Sequence, residues 1–153
     1  MAFDYQALVD AVQSYAEQTG VFENPVATHE PKSRPGPGVT CSTWVEEISP
    51  IPAASGLNAV TGLVTMTVRL QTPFIQQPAD QIDPTLMRAV GAVMGQFGGG
   101  FTLGNVVRNV DLLGMHSQGL RARAGHVNQD GTNYRAMDIS LPLIVNDLYG
   151  EAP

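Results

Sequence analysis

Cysteine is nearly absent: Cys41 is the only one in 153 residues. An intramolecular disulfide is therefore impossible, and a cysteine-rich zinc site is excluded. Lysine is equally scarce, with Lys32 alone, and the 8 basic residues face 14 acidic ones for a net charge of −6. A protein that grips phosphates needs a basic footprint, so nucleic-acid binding as the main activity is disfavoured. Passage of DNA along the surface is not, because an acidic wall repels the duplex and lets it slide. Charged residues of both signs make up only 14% of the chain, well under the ~25% of ordinary soluble domains. The apolar share is 43%, so disorder is not expected. A surface this poor in charge points to cover by another subunit. No apolar run approaches the about 18 residues of a membrane span, and Met1–Tyr5 lacks the basic start of a signal peptide. A soluble chain made in a cytoplasm, with no membrane partner, is the expectation.

What is present organises as a single domain over residues 1–153, without internal repeat or boundary. Residues 3–19 set Phe3, Ala7, Leu8, Ala11, Val12 and Tyr15 on one stripe, and Gly20 supplies a stop. That is an amphipathic helix lying on a sheet. A second helix is expected from Asp83-Pro84, with Asp83 as N-cap and Pro84 at the first helical position. Its stripe runs through Leu86, Met87, Val90, Val93, Met94 and Phe97 to a stop at Gly98-Gly99-Gly100. Val39–Ile48 is strand-like, and residues 60–70 alternate with period two. One or two short strands are expected around Val106, Val110 and Leu112.

The last third reads as a hairpin turning at Asp130-Gly131. That register pairs Leu120 with Leu141, Ala122 with Ile139 and Ala124 with Met137. It also sets Arg123 across from Asp138, a candidate cross-strand charge pair, and His126 opposite Arg135. The fold class that follows is α+β: a mainly antiparallel (mixed) sheet of about five strands, with two helices packed on one face.

Chemistry is hard to find. His29, His116 and His126 are scattered, with no i, i+4 pair and no carboxylate at ligand spacing. Asn128-Gln129-Asp130-Gly131 resembles the start of a calcium loop but lacks its bidentate Glu, so it reads as a turn. Glu46 and Glu47 are strand neighbours and should point to opposite faces, which keeps them from acting as an acid–base couple. Cys41, beside Ser42 and Thr43, reads as a buried structural thiol. The glycine-rich segments lack the Lys-Ser or Lys-Thr of a phosphate loop. No catalytic residue, cofactor or metal is expected, and nothing demands an enzyme.

Several stretches nevertheless carry a resemblance when taken in order. They are Thr28-His29-Glu30-Pro31-Lys32 with Gly36-Pro37-Gly38 after it, Trp44-Val45, and Pro50–Asn58. Phe101-Thr102-Leu103-Gly104, Arg108–Gly114, Gln129-Asp130-Gly131 and Leu141–Asp147 continue the series. Spanning residues 28–147, they resemble tail terminator proteins of long, non-contractile-tailed (siphovirus-type) phages, particularly those of actinobacteria. The resemblance implies a virion protein of the tail and neck, assembled in the host bacterial cytoplasm. It implies a small subunit of a hexameric ring that caps the tail tube and ends its polymerisation. The same ring docks the head connector, and DNA passes through its lumen without sequence-specific binding. The expected partners are the chain itself, the tube protein and the connector protein. A head–tail adaptor or head-completion protein of the neck is the alternative, and a small hydrolase using His29 or His116 is the third reading.

Residues 24–38 acquire interest in that light. Pro25, Pro31, Pro35 and Pro37, with Gly36 and Gly38, exclude helix and central strand. The segment is far longer than the usual ~4–6-residue connection. It reads as a loop or assembly arm, loose in the free subunit and ordered on a partner. Thr28, His29, Glu30, Pro31, Lys32 and Arg34 are its candidate contacts.

Overall fold

The strand that alternation marks at residues 60–70 extends beyond that window on both sides. A computed structural model places the 15-residue strand β2 (Ala59–Pro73) there. It describes residues 4–22, 25–28, 39–51, 59–73, 82–100, 102–104, 106–115, 117–129 and 132–150. The other elements are α1 (Tyr5–Glu17), β1 (Thr40–Pro50), α2 (Ile82–Gly99), β3 (Asn109–Val110), β4 (Arg121–Gln129) and β5 (Thr132–Gly150). The fold is α+β, a five-stranded antiparallel sheet with two helices.

β5 organises the sheet. β2 pairs with it from Gly150 back to Tyr134, so one edge of β5 is taken along nearly its whole length. β4 and β3 therefore share the other edge, β4 opposite residues 132–140 and β3 opposite Leu143 and Ile144. β1 completes the sheet beyond β2. The result is four columns: β1, β2, β5, and then β4 and β3 end to end.

Pro142 sits inside the central strand, where the lack of an N–H normally breaks a ladder. Its backbone turns toward the β3–β4 side, and its carbonyl accepts from the Asp111 amide at 2.9 Å. Ladder pairing on that side stops at Ser140 and resumes at Leu143. The missing donor thus falls at the gap between the two short edge strands, where no ladder bond is lost.

The period-two pattern sends Val64, Met66, Val68 and Leu70 to the same face as Ile139, Leu141 and Leu143. Leu8, Val9 and Val12 of α1 and Leu86, Val90, Val93 and Phe97 of α2 pack onto that face. Each such side chain contributes about 1.5–3 kcal/mol by leaving water. Both helices lie on one face, as the amphipathic stripes require. α1 starts at Tyr5 because Asp4 caps it, its carboxylate accepting from the Ala7 amide at 3.0 Å. Gly20, at φ +70°, turns the chain away after the helix.

Several expectations need correction. α2 begins at Ile82, so Asp83 lies within the first turn rather than at the cap. Gly98 and Gly99 remain helical, and no glycine of that triplet has the left-handed conformation of a glycine cap. Gly100 is required for another reason: a Cβ there would lie 2.3 Å from Cε2 of Tyr15, whose ring stacks on Phe97. Between α2 and β4 the only strand among the described residues is β3, and Val106 is a 40% exposed turn residue. Leu120 precedes β4 and donates its N–H to the Leu112 carbonyl instead of pairing with Leu141.

The start of the 24–38 segment is also tied down rather than loose. Ala27 forms a parallel bridge with Ser42, accepting from the Thr43 amide at 2.8 Å and donating to the Cys41 carbonyl at 3.0 Å. Val26 is buried, and its carbonyl accepts from Gln13 Nε2 at 2.7 Å. Thr28 is half-buried beside this bridge. His29, Glu30, Pro31, Lys32 and Arg34 lie outside the described residues.

The Tyr15–Gly100 contact makes a direct prediction. Gly100→Ala should cost ~1–3 kcal/mol by overpacking, measured by denaturant unfolding. The same change in a Tyr15→Ala background should cost under about 0.5 kcal/mol, because the clashing ring is gone.

Candidate functional site

The second face of the sheet carries no helix among the described residues. At one end Ile51, Leu63 and Ile144 form a small apolar cluster. Its centre is a polar row in which the register aligns Ser42, Arg69, Asp138 and Arg123 across all four columns. The hairpin register read from the sequence is correct, including Ala122 opposite Ile139, Ala124 opposite Met137 and His126 opposite Arg135.

The charge pair differs from the expectation. Asp138 is held by Arg69 on the β2 side, not by Arg123 on the β4 side. Arg69 Nε donates to Asp138 Oδ1 at 2.7 Å and Nη2 donates to Oδ2 at 3.0 Å, a two-bond fork. The guanidinium lies 5.1 Å from the Trp44 ring centroid, so its other side meets an aromatic face. Arg69 is well packed, with 16% of its side chain exposed. Planar fork geometry and stacking favour this arginine over its competitor on the edge strand. Arg121 and Arg123 are exposed on β4 and make no ion pair among the described residues.

Glu46 and Glu47 overturn another expectation. A bulge between Val45 and Glu47 inserts one residue into β1. Thr67 Oγ1 donates to Glu46 Oε1 at 3.3 Å, while Glu47 pairs with Thr65. Thr65 and Thr67 share the second face, so both glutamates lie on that face with Trp44, instead of alternating. They do not make a catalytic couple, since both are exposed at the sheet edge. They give β1 an acidic rim, opposite the arginines of β4.

A third feature lies in the connection between β3 and β4. Asp111 is buried and accepts from the Met115 amide and from Ser117 Oγ, both at 2.8 Å. Ser117 Oγ in turn accepts from the Gly119 amide at 3.0 Å. Gly114 and Gly119 adopt φ of +84° and +83°, and a Cβ on either would strike backbone within 3 Å. This braced turn holds Leu113 at 97% exposure and Met115 at 85%. Asp111, Gly114, Ser117 and Gly119 together were the signal for it in the sequence, though only their spacing around two apolar residues hinted at a common purpose.

Other sites read from the sequence divide simply. Cys41 is buried as expected, and burial, with a smaller effect from Glu17, pushes its thiol up to about 12. It stays protonated and inert at neutral pH. His126 is exposed on β4. His29, His116 and Asp130-Gly131 lie outside the described residues. Among the described residues no group of three or more His, Cys, Asp or Glu is placed to hold a metal ion, and no helix is long and apolar enough to cross a membrane. Comparison of the chain with protein-family models and with curated proteins finds no match.

The Arg69–Asp138 geometry predicts which partner is coupled. A double-mutant cycle between Arg69→Ala and Asp138→Ala should give a coupling of ~1 kcal/mol in unfolding free energy, allowing for partial exposure. The cycle between Arg123→Ala and Asp138→Ala should stay under about 0.3 kcal/mol. The reverse ranking would place the ion pair on the wrong strand.

Proposed function

We propose that this protein is the tail terminator of a long, non-contractile-tailed phage. It is a structural subunit that closes into a ring, caps the tail tube and offers the head connector a docking surface. The ordered resemblance over residues 28–147 supports this reading. The observation that carries it is the braced turn at residues 111–119, which falls partly within the resembling stretch Arg108–Gly114. A buried carboxylate, two left-handed glycines and a serine hold two neighbouring apolar side chains out in water. Preorganisation of this kind lowers the ordering cost of docking, and Leu113 and Met115 are suited to anchor in a partner's pocket.

An acidic, weakly charged subunit suits the same role. A monomer of this length has a radius of gyration of roughly 15 Å, too small to enclose duplex DNA, whereas a ring of copies can. Arg69, in the middle of the second face, is neutralised by Asp138 and so is not free to grip phosphates.

Incubated with polymerising tube protein of its own virus, the chain should shorten the tubes in proportion to its concentration. Leu113→Asp combined with Met115→Asp should abolish that effect and leave unfolding free energy within about 0.5 kcal/mol, since both sites are exposed. Tube lengths unchanged at molar excess of the native chain would overturn the reading.

A further inference from the structure

The two edges of the sheet differ in sign on the same face. At the β1 edge, Glu46 and Glu47 lie on the second face, while Val45 and the half-exposed Ile48 lie toward the helices. At the β4 edge, Arg121 and Arg123 lie on the second face, while Ala122 and Ala124 lie toward the helices. No described strand lies beyond β4. Beyond β1, Ala27 bridges Ser42 only, and no described strand lies along Trp44–Pro50. Charges on an edge ordinarily guard it against stray pairing. Among the described residues each edge is thus guarded against a copy of itself and complementary in charge to the other.

We propose that β4 of one subunit pairs with the Trp44–Pro50 stretch of β1 in a second copy of this chain, extending the sheet across the contact. The inference rests on the ring reading and specifies how the ring closes. Arg123 then faces Glu46 and Glu47 of the neighbour on one side of the joint, with Arg121 one step further along beside Ser49. Ala122 and Ala124 meet Val45 and Ile48 on the other. Both faces match in one arrangement.

Polarity agrees. Three antiparallel steps separate β1 from β4, so the two edges run in opposite directions within one subunit. A rotation that preserves strand direction around a ring therefore brings β4 antiparallel to the next β1. The alternating pattern continues unbroken. An isologous dimer would set arginine against arginine across β4, or glutamate against glutamate across β1, and like charges directly opposite disfavour both. Head-to-tail contact is also the type that closes into rings.

The register adds a constraint. Arg123 is level with Ser42 within the subunit, and the neighbour's Ser42 is already covered by its own Ala27. Contact with Glu46 and Glu47 needs an offset of about four residues per four-column subunit, which is a shear roughly equal to the strand number. That ratio gives a strand tilt of about 36° in closed parallel sheets and lies within the usual range for barrels.

The backbone provides a test of its own. The even-numbered residues of β5 direct their backbone groups toward β4 and β3, as the bond from the Asp111 amide to the Pro142 carbonyl illustrates. Arg121, Arg123 and Gly125 are thus bonded to β5, and Ala122 and Ala124 turn their N–H groups outward. Proline at Ala124 removes an outward donor without costing the subunit a ladder bond.

The native chain, Arg121→Glu/Arg123→Glu, Glu46→Arg/Glu47→Arg and Ala124→Pro can be compared by mass photometry and negative-stain microscopy, with circular dichroism to check folding. The native chain is expected to form rings. Each charge-reversed variant alone should lose them by at least tenfold in assembled fraction, and so should folded Ala124→Pro. An equimolar mixture of the two charge-reversed variants should assemble again, in alternation, because each unlike contact then restores an opposite-charge pair. Native rings together with intact rings from either charge-reversed variant would overturn the edge pairing and leave the ring standing. A mixture that stays monomeric while the native chain forms rings would overturn the edge pairing as well. Absence of rings from the native chain at every concentration would overturn the ring itself.

Discussion

Strand β5 has to satisfy two edges over 19 residues, and the rest of the molecule follows from how it does so. β2 covers one edge almost completely, while the other is divided between a nine-residue strand and a two-residue strand. The division places Pro142 where its missing donor is harmless and leaves the 111–119 turn at the joint. That turn is braced by the same backbone that closes the joint, since the Asp111 amide bonds to the Pro142 carbonyl while its carboxylate organises the residues that follow. An apolar tip held this firmly is a consequence of sheet topology as much as of loop sequence.

Among the described residues the helices cover one face of the sheet only, and the other is managed without them. Here the solution is a polar row, with the Arg69–Asp138 fork at its centre and Trp44 alongside the guanidinium. Neutralising the interior of the second face leaves the uncompensated charge at the rims, acidic on β1 and basic on β4. An isolated subunit gains no stability from that separation. A neighbour that joins unlike rims does, and exposed apolar positions such as Ile48 are covered in the same step.

Legibility in the sequence followed the range of the interaction. The β4–β5 register was readable because only two residues separate the paired Gln129 and Thr132, so it is fixed locally, and α1 and α2 were readable from their stripes. β2 was readable from alternation alone. The partner of Asp138 was not, because Arg69 is 69 residues away and no local window reveals which strand lies on β5's far edge. The bulge at Val45/Glu47 was equally hidden: it leaves no proline or glycine behind, and without it alternation wrongly separates Glu46 from Glu47. The continuation of β5 past Pro142 was masked by the very residue that marks the joint between β3 and β4. Docking of Val26 and Ala27 onto α1 and β1 likewise depended on contacts that the proline count of residues 24–38 could not disclose.

The central claim is that this chain acts as a closed ring of copies, with function arising from assembly rather than from chemistry at a site. Sedimentation velocity of the purified native chain, run from micromolar concentrations up to those near packing in a virion, tests it most directly. The account predicts a discrete, concentration-dependent species at a single closed stoichiometry, without a continuous ladder of larger forms. A strictly monomeric profile across that whole range would contradict it.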